Sequence, residues 1–273
     1  MGTVVRVGDN ALSSLLGQRV MIDGWLRDWD DPLNRSKAGY FGSECDGGYA
    51  QYTKVFHRQV HPVETTMSDA ELATFACSYV TAENMLNRGA VTAGDTVLVT
   101  GASGGVGSAL IQLANRRGAK CVGLCSADKT DDVKAVGPLA VIDRNCSDLG
   151  SALRDAIGSE SVDVVADVVG GSLWPQLINA LARGGRYTCA GAIAGPMVEF
   201  DLRTFYLRDL TFTGATVPLP GVFEDLVGYI ERDEIRPLLA ATYPLENFHA
   251  AQQAFIDKRH VGNIVTEPFG PAT

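Results

Sequence analysis

The run V-L-V-T-G-A-S-G-G-V-G, residues 97–107, decides the fold. Val97, Leu98 and Val99 read as a short buried strand, and a glycine-rich turn follows. Residues 108–117 (S-A-L-I-Q-L-A-N-R-R) read as a helix with Val106, Leu110, Leu113 and Ala114 on one face, stopped by Gly118. Strand, turn and helix start form a βα unit of the kind that binds a pyrophosphate. The glycines permit close approach, and the free N–H groups and dipole at the helix start favour an anion. Against the G-x-G-x-x-G fingerprint, Ala102, Gly104 and Gly107 occupy the three special positions, with Ser103, Gly105 and Val106 between them. A tight connection without a ligand is the other reading of such a turn.

The rest of the chain supports the binding reading. Lys120–Leu124, Val141-Ile142, Val162–Ala166 and Arg186–Ala190 are further short apolar runs, and helical patterns separate them. This alternation predicts an α/β fold with a doubly wound parallel sheet. The chain has 273 residues, 46% of them hydrophobic, with a net charge of −9. That is enough for one large or two modest domains and argues against a nucleic-acid surface. No apolar run reaches membrane-spanning length and no secretory signal opens the chain. The six cysteines, Cys45, Cys77, Cys121, Cys125, Cys146 and Cys189, form no C-x-x-C pair, which reads as reduced thiols in a cytoplasmic protein.

Ahead of the glycine turn, residues 2–8 and 17–22 read as strands around a turn. Residues 24–47 read as a long loop or lobe, and Gly48–Val55 as a strand. Asp28, Asp30 and Asp31 are either solvated turn carboxylates or a cation site, and His57 and His61 are either structural or ligands. Ser68 with Glu71 forms a capping box opening a helix over 68–76, and a second helix is expected over 81–87. After the turn, helices are expected over 128–136, 148–157, 173–181, 201–207, 223–232 and 247–258. Strands are expected at Leu210–Gly214 and Ile264-Val265.

The order of motifs is specific: G-x-R-V (Gly17–Val20), G-G-Y-A-x-Y (Gly47–Tyr52), A-G-D-T-V-L-V-T-G-A-S-G-G-V-G (Ala93–Gly107), D-V-V-G-G (Asp167–Gly171), G-G-R (Gly184–Arg186) and K-R-H-V-G-N-I-V (Lys258–Val265). Across essentially the whole chain this resembles the medium-chain dehydrogenase/reductase superfamily, in its quinone-reductase-like and alcohol-dehydrogenase-like branch. The resemblance implies a Rossmann domain plus a partial GroES-like β domain, since typical members carry several dozen further residues before the strand at Gly2–Gly8. It divides the chain into residues 1–80 (partial GroES-like catalytic domain), 81–215 (Rossmann core) and 216–273 (end of the Rossmann domain and return to the catalytic domain). Cys77 falls where zinc-dependent members place a catalytic ligand, but its partner ligands are absent, and the 24–47 lobe holds only Cys45 where the family has a structural zinc loop. Zinc is therefore not expected, and Cys77 reads as a buried thiol.

The resemblance also implies a dinucleotide. NAD-specific sites place an acid at the end of the second strand, where this chain has Leu124-Cys125-Ser126. Ser126, Lys129 and Arg144 suit a 2′-phosphate, so NADP(H) is favoured over NAD(H), with Asp128 and Asp143 weakening the field. Thr81, Val169, Gly191, Ala192, Ala215, Thr216 and Asn263 resemble further coenzyme-contact positions. The activity implied is hydride transfer between the nicotinamide and a carbonyl, quinone or enone; a non-catalytic dinucleotide-binding module is the rival. No catalytic acid or base is assigned, although Tyr40, Tyr52 and Tyr79 are candidate proton donors. The short-chain dehydrogenase class is set aside because no tyrosine has a lysine four residues later. Pairing of the Leu210–Gly214 edge across a two-fold axis predicts a homodimer.

Overall fold

The computed structural model describes residues 1–268, so the last five residues of the 216–273 segment lie outside it. The chain divides into two compact units: Thr81–Thr216, and Met1–Val80 with Val217 onward.

The unit Thr81–Thr216 is built on a six-stranded parallel sheet. Its strands are β1 (Thr96–Val99), β2 (Lys120–Cys125), β3 (Ala140–Asp143), β4 (Val162–Asp167), β5 (Leu181–Cys189) and β6 (Thr211–Gly214). The spatial order is β3-β2-β1-β4-β5-β6. This is the doubly wound dinucleotide-binding order, in which the direction of strand addition reverses between β1 and β4. Register is regular there: Val97, Leu98 and Val99 face Val164, Val165 and Ala166. The same three residues face Cys121, Val122 and Gly123 on the other side.

Central parallel strands are covered on both faces, so they read as unbroken apolar runs. Val97, Leu98, Val99, Val122, Val164 and Val165 are all fully buried. One face, with Leu98, Val122, Val165 and Tyr187, packs on Leu149, Leu153, Trp174 and Leu177. Each large aliphatic side chain buried in this way contributes roughly 1.5–3 kcal/mol before the ordering entropy is set against it. β6 is an edge strand with β5 as its only partner among the described residues.

In the other unit, Gly2–Thr3, Arg19–Ile22 and Val60–Pro62 form a three-stranded antiparallel sheet. Trp25–Leu26 pairs with Gly39–Tyr40 inside the 24–47 lobe. Leu239–Pro244 pairs in parallel with Asn263–Glu267. This strand at 239–244 is not evident from the sequence; its alternation of half-buried and exposed residues rests on alanines and ends in proline.

Three sequence expectations need correction. Residues 2–8 are strand only at Gly2–Thr3, and a 3-10 turn occupies Asn10–Leu15. Gly48–Val55 is not a strand: no ladder partner faces it among the described residues, and Tyr49 and Tyr52 stand more than two-thirds exposed. The two helices expected over 68–76 and 81–87 are one helical run. Asp69–Ala73 opens it, a π-helical turn at Phe75–Tyr79 continues it, and Val80–Arg88 completes it. Its start is the expected capping box: the Ser68 hydroxyl accepts from the Glu71 N–H, and the Glu71 carboxylate accepts from the Ser68 N–H at 2.7 Å.

Candidate dinucleotide site

β1 ends at Val99, and helix α1 (Gly105–Arg116) begins after a five-residue turn, Thr100 to Gly104, whose last residue is the N-cap. Gly101 takes a positive φ of 58°, so the sharp bend falls one residue before the first fingerprint position. This explains the alanine there. Ala102 is fully buried, donates its N–H to the Leu124 carbonyl, and sets its methyl against Gly123. The third fingerprint position admits no side chain: a Cβ on Gly107 would lie 2.1 Å from the Gly101 carbonyl oxygen. Helix and turn are thus in backbone contact, which brings the first N–H groups of α1, free of intrahelical acceptors, to the carboxyl edge of the sheet.

Most of the residues singled out in the sequence follow strand ends on that same edge. Ser103 to Val106 follow β1, and Ser126 and Lys129 follow β2. Arg144 follows β3, Val169 follows β4, Gly191 and Ala192 follow β5, and Ala215 and Thr216 follow β6. Arg144 is tied to the end of β2 by its N–H, which donates to the Cys125 carbonyl at 2.8 Å. The Ser126 hydroxyl donates to Asp128 and holds that carboxyl below its ordinary range, with Lys129 and Arg144 contributing charge. Thr81 sits near the start of helix Val80–Arg88, three residues before the buried Asn84, whose Nδ2 donates to the Thr216 carbonyl at 3.3 Å. Asn263 belongs to the other unit, where its Oδ1 accepts from the Ser78 hydroxyl at 2.7 Å.

A buried carboxylate organises the middle of the edge. Asp167, at the end of β4, is 0% exposed. Its Oδ1 accepts from Thr100 Oγ1 at 2.6 Å and from the Val169 N–H at 2.8 Å. Its Oδ2 accepts from the Tyr187 hydroxyl at 2.7 Å, and the Gly170 N–H is shared between both oxygens. Burial, with the Asp167 charge behind it, drives the Tyr187 phenol far above its usual range. The letters D-V-V-G-G are visible in the sequence, but the partners of Asp167 lie 67 and 20 residues away, so the network is not.

Cys77 is exposed rather than buried: in the π-helical turn Phe75–Tyr79 it is Phe75, Ser78 and Tyr79 that face inward. Burial, followed by the neighbouring Cys77 sulfur and Asp23, pushes the Tyr40 phenol upward. Among the described residues no three His, Cys, Asp or Glu side chains converge. Cys77 without converging partner ligands does not fit a zinc ion.

The model of the zinc-binding dehydrogenase family matches residues 105–232. A solved structure of a presumptive alcohol dehydrogenase from Sinorhizobium meliloti 1021 is 46% identical, covers 97% of this chain with 74% of its own length, and superposes with a TM-score of 0.92. An acryloyl-coenzyme A reductase from Metallosphaera sedula is 29% identical over 97% of this chain and 80% of that relative. A human quinone oxidoreductase is 24% identical over 93% of this chain and 74% of its own length. The chain belongs to the medium-chain dehydrogenase/reductase superfamily. It is an oxidoreductase of that family, with a Rossmann-like parallel sheet.

Proposed function

We propose that this enzyme transfers hydride between NADP(H) and a carbonyl, quinone or conjugated enone. The observation that carries the reading is the carboxyl edge of the sheet: the backbone-tight turn at Gly101–Gly107, beside Ser126, Lys129 and Arg144 at the next two strand ends. The turn accommodates a pyrophosphate at the start of α1. The hydroxyl and two cations suit the roughly −2 charge of a 2′-phosphate. When bound, the nicotinamide supplies the hydride. The chain's own part is to bind and orient: Val169, Gly191, Ala192, Ala215 and Thr216 line the same edge, and Asn84 fixes the Thr216 carbonyl. The names of the relatives, a quinone oxidoreductase and a reductase of an acryloyl thioester, support an electrophilic conjugated acceptor.

In this reading residues 81–215 are the core of the dinucleotide domain, residues 1–80 the GroES-like catalytic part, and 216–273 the end of the dinucleotide domain and the return to the catalytic part. The open edge of β6, with Leu202, Tyr206 and Leu207 exposed nearby, supports pairing with a second copy in a homodimer. Six free thiols support a reducing compartment such as the cytoplasm. No helix among the described residues is long and apolar enough to cross a membrane.

The test is steady-state oxidation of NADPH and NADH by the purified chain against quinones, aldehydes and acryloyl-coenzyme A. Turnover with NADPH on at least one acceptor is expected. Coenzyme binding without turnover on every acceptor would replace the enzyme reading with that of a non-catalytic binding module.

A further inference from the structure

The Asp167 network does more than fill the core. Thr100 begins the glycine turn, and its hydroxyl is used twice: Oγ1 donates to Asp167 Oδ1 and accepts from the Val168 N–H at 3.0 Å. Asp167 then holds the next two N–H groups, of Val169 and Gly170. The loop after β4 is therefore moulded around one carboxylate and bolted to the residue that opens the glycine turn. The loop after β5 is attached in turn. Ala194 N–H donates to the Val169 carbonyl at 2.8 Å, and Gly171 N–H to the Gly195 carbonyl at 3.0 Å. Contact there is close enough that a Cβ on Gly191 would lie 2.9 Å from the Val168 carbonyl oxygen. Three loops on the carboxyl edge share one anchor.

We propose that Asp167 is a positioning residue of the dinucleotide site, setting the loops after β1, β4 and β5 in one register through Thr100 and Tyr187. This rests on the reading of that edge as a coenzyme site. The chemistry requires a carboxylate: both oxygens accept, and the donors arrive from an alcohol, a phenol and two backbone amides. An amide has one acceptor oxygen and would turn an NH2 toward the Tyr187 hydroxyl or the Gly170 N–H. That misfit is relieved by moving the loops, because the strands beneath are locked in register.

The experiment is a fluorescence titration with NADPH of the wild-type chain and of Asp167→Asn, Thr100→Val, Thr100→Ser and Tyr187→Phe, each checked by circular dichroism. Steady-state kinetics accompany it. Wild-type binding is the reference, and a wild-type chain that binds no coenzyme overturns both the site and this inference. With binding established, Asp167→Asn and Thr100→Val are expected to raise the dissociation constant about tenfold, the scale of one lost buried hydrogen bond to a charged group. Thr100→Ser keeps the hydroxyl and is expected to stay near wild type, and the loss should fall on the coenzyme KM more than on kcat. A folded Asp167→Asn or Thr100→Val with wild-type affinity overturns the inference alone, as does a Thr100→Ser that loses as much as Thr100→Val. If Asp167→Asn does not fold, the Thr100 pair and Tyr187→Phe decide it by the same criteria.

Discussion

The Ser126 hydroxyl is hydrogen-bonded to the carboxylate of Asp128, two residues along, on the end of β2 where a coenzyme ribose is expected. The same carboxylate is reached by the charges of Lys129 and Arg144. An acid therefore stands in the middle of the groups assigned to a 2′-phosphate, and it competes with that phosphate for all three. Asp128→Asn should tighten NADPH by about threefold and leave NADH nearly unchanged, because only the phosphorylated coenzyme meets the lost like charge. Arg144→Ala should weaken NADPH about tenfold, one charge-assisted hydrogen bond, with little effect on NADH. Paired titrations with the two coenzymes check both; equal effects on NADPH and NADH would remove these residues from the phosphate site.

Gly107 is the position least tolerant of change in the turn. Its Cβ would lie 2.1 Å from the Gly101 oxygen and 2.7 Å from Ala102 Cα, both backbone atoms that cannot rotate away. Gly107→Ala should cost about 2–4 kcal/mol of stability in a urea titration and abolish coenzyme binding in whatever fraction stays folded. Gly104→Ala is the control. A Cβ there meets the Gly101 oxygen at 3.4 Å, an ordinary contact, so the variant should remain folded.

Asp23 makes stability depend on pH. Burial lifts its carboxyl from 3.8 to about 6, against the Trp25 N–H and the Arg27 guanidinium, which stands only loosely at 3.9 Å. The folded state thus holds this proton between about pH 4 and pH 6 while the unfolded chain has released it. Stability from this group is highest below pH 4 and falls as pH rises through 6, by about 3 kcal/mol in total. Asp23→Asn keeps the acceptor for the Trp25 N–H and removes the titration. In urea unfolding at pH 4 and pH 7, the variant should gain on the wild type by about 2–3 kcal/mol at the higher pH. Parallel profiles would contradict the assignment.

The thiols differ in reach. Cys77 and Cys45 are exposed, whereas Cys121 is buried under α1, and burial alone pushes its thiol to about 12. Brief treatment with a maleimide at pH 7.5, followed by mass spectrometry, should label Cys77 and Cys45 and spare Cys121 in the native chain. Labelling of Cys121 at the same rate would mean that α1 opens readily.

Much of this architecture is local, and local patterns were legible. The apolar runs Val97–Val99, Cys121–Leu124 and Val162–Ala166 lie in central strands because strands covered on both faces admit little else. The Ser68 box and the Gly107 requirement follow from single-turn geometry. What stayed hidden depends on partners distant in sequence. Gly48–Val55 carries the aromatic and β-branched residues Tyr49, Tyr52, Thr53 and Val55 that strands favour, yet a strand exists only with a ladder partner. The alanines of Leu239–Pro244 give too weak an alternation to announce the strand that Asn263–Glu267 completes. The π-helical turn that carries the exposed Cys77 has no compositional mark in F-A-C-S-Y. In the candidate site, the chain letters place Ser126, Arg144 and Asp167 at strand ends, but not that Ser126 spends its hydroxyl on Asp128 or that Asp167 gathers Thr100 and Tyr187.

The measurement that bears most directly on the central claim is the titration of the purified chain with NADPH and then NADH, followed by coenzyme fluorescence. The account predicts saturable binding of both, with NADPH tighter by about tenfold. Tighter binding of NADH would contradict the phosphate assignment to Ser126, Lys129 and Arg144, and binding of neither would contradict the dinucleotide site itself.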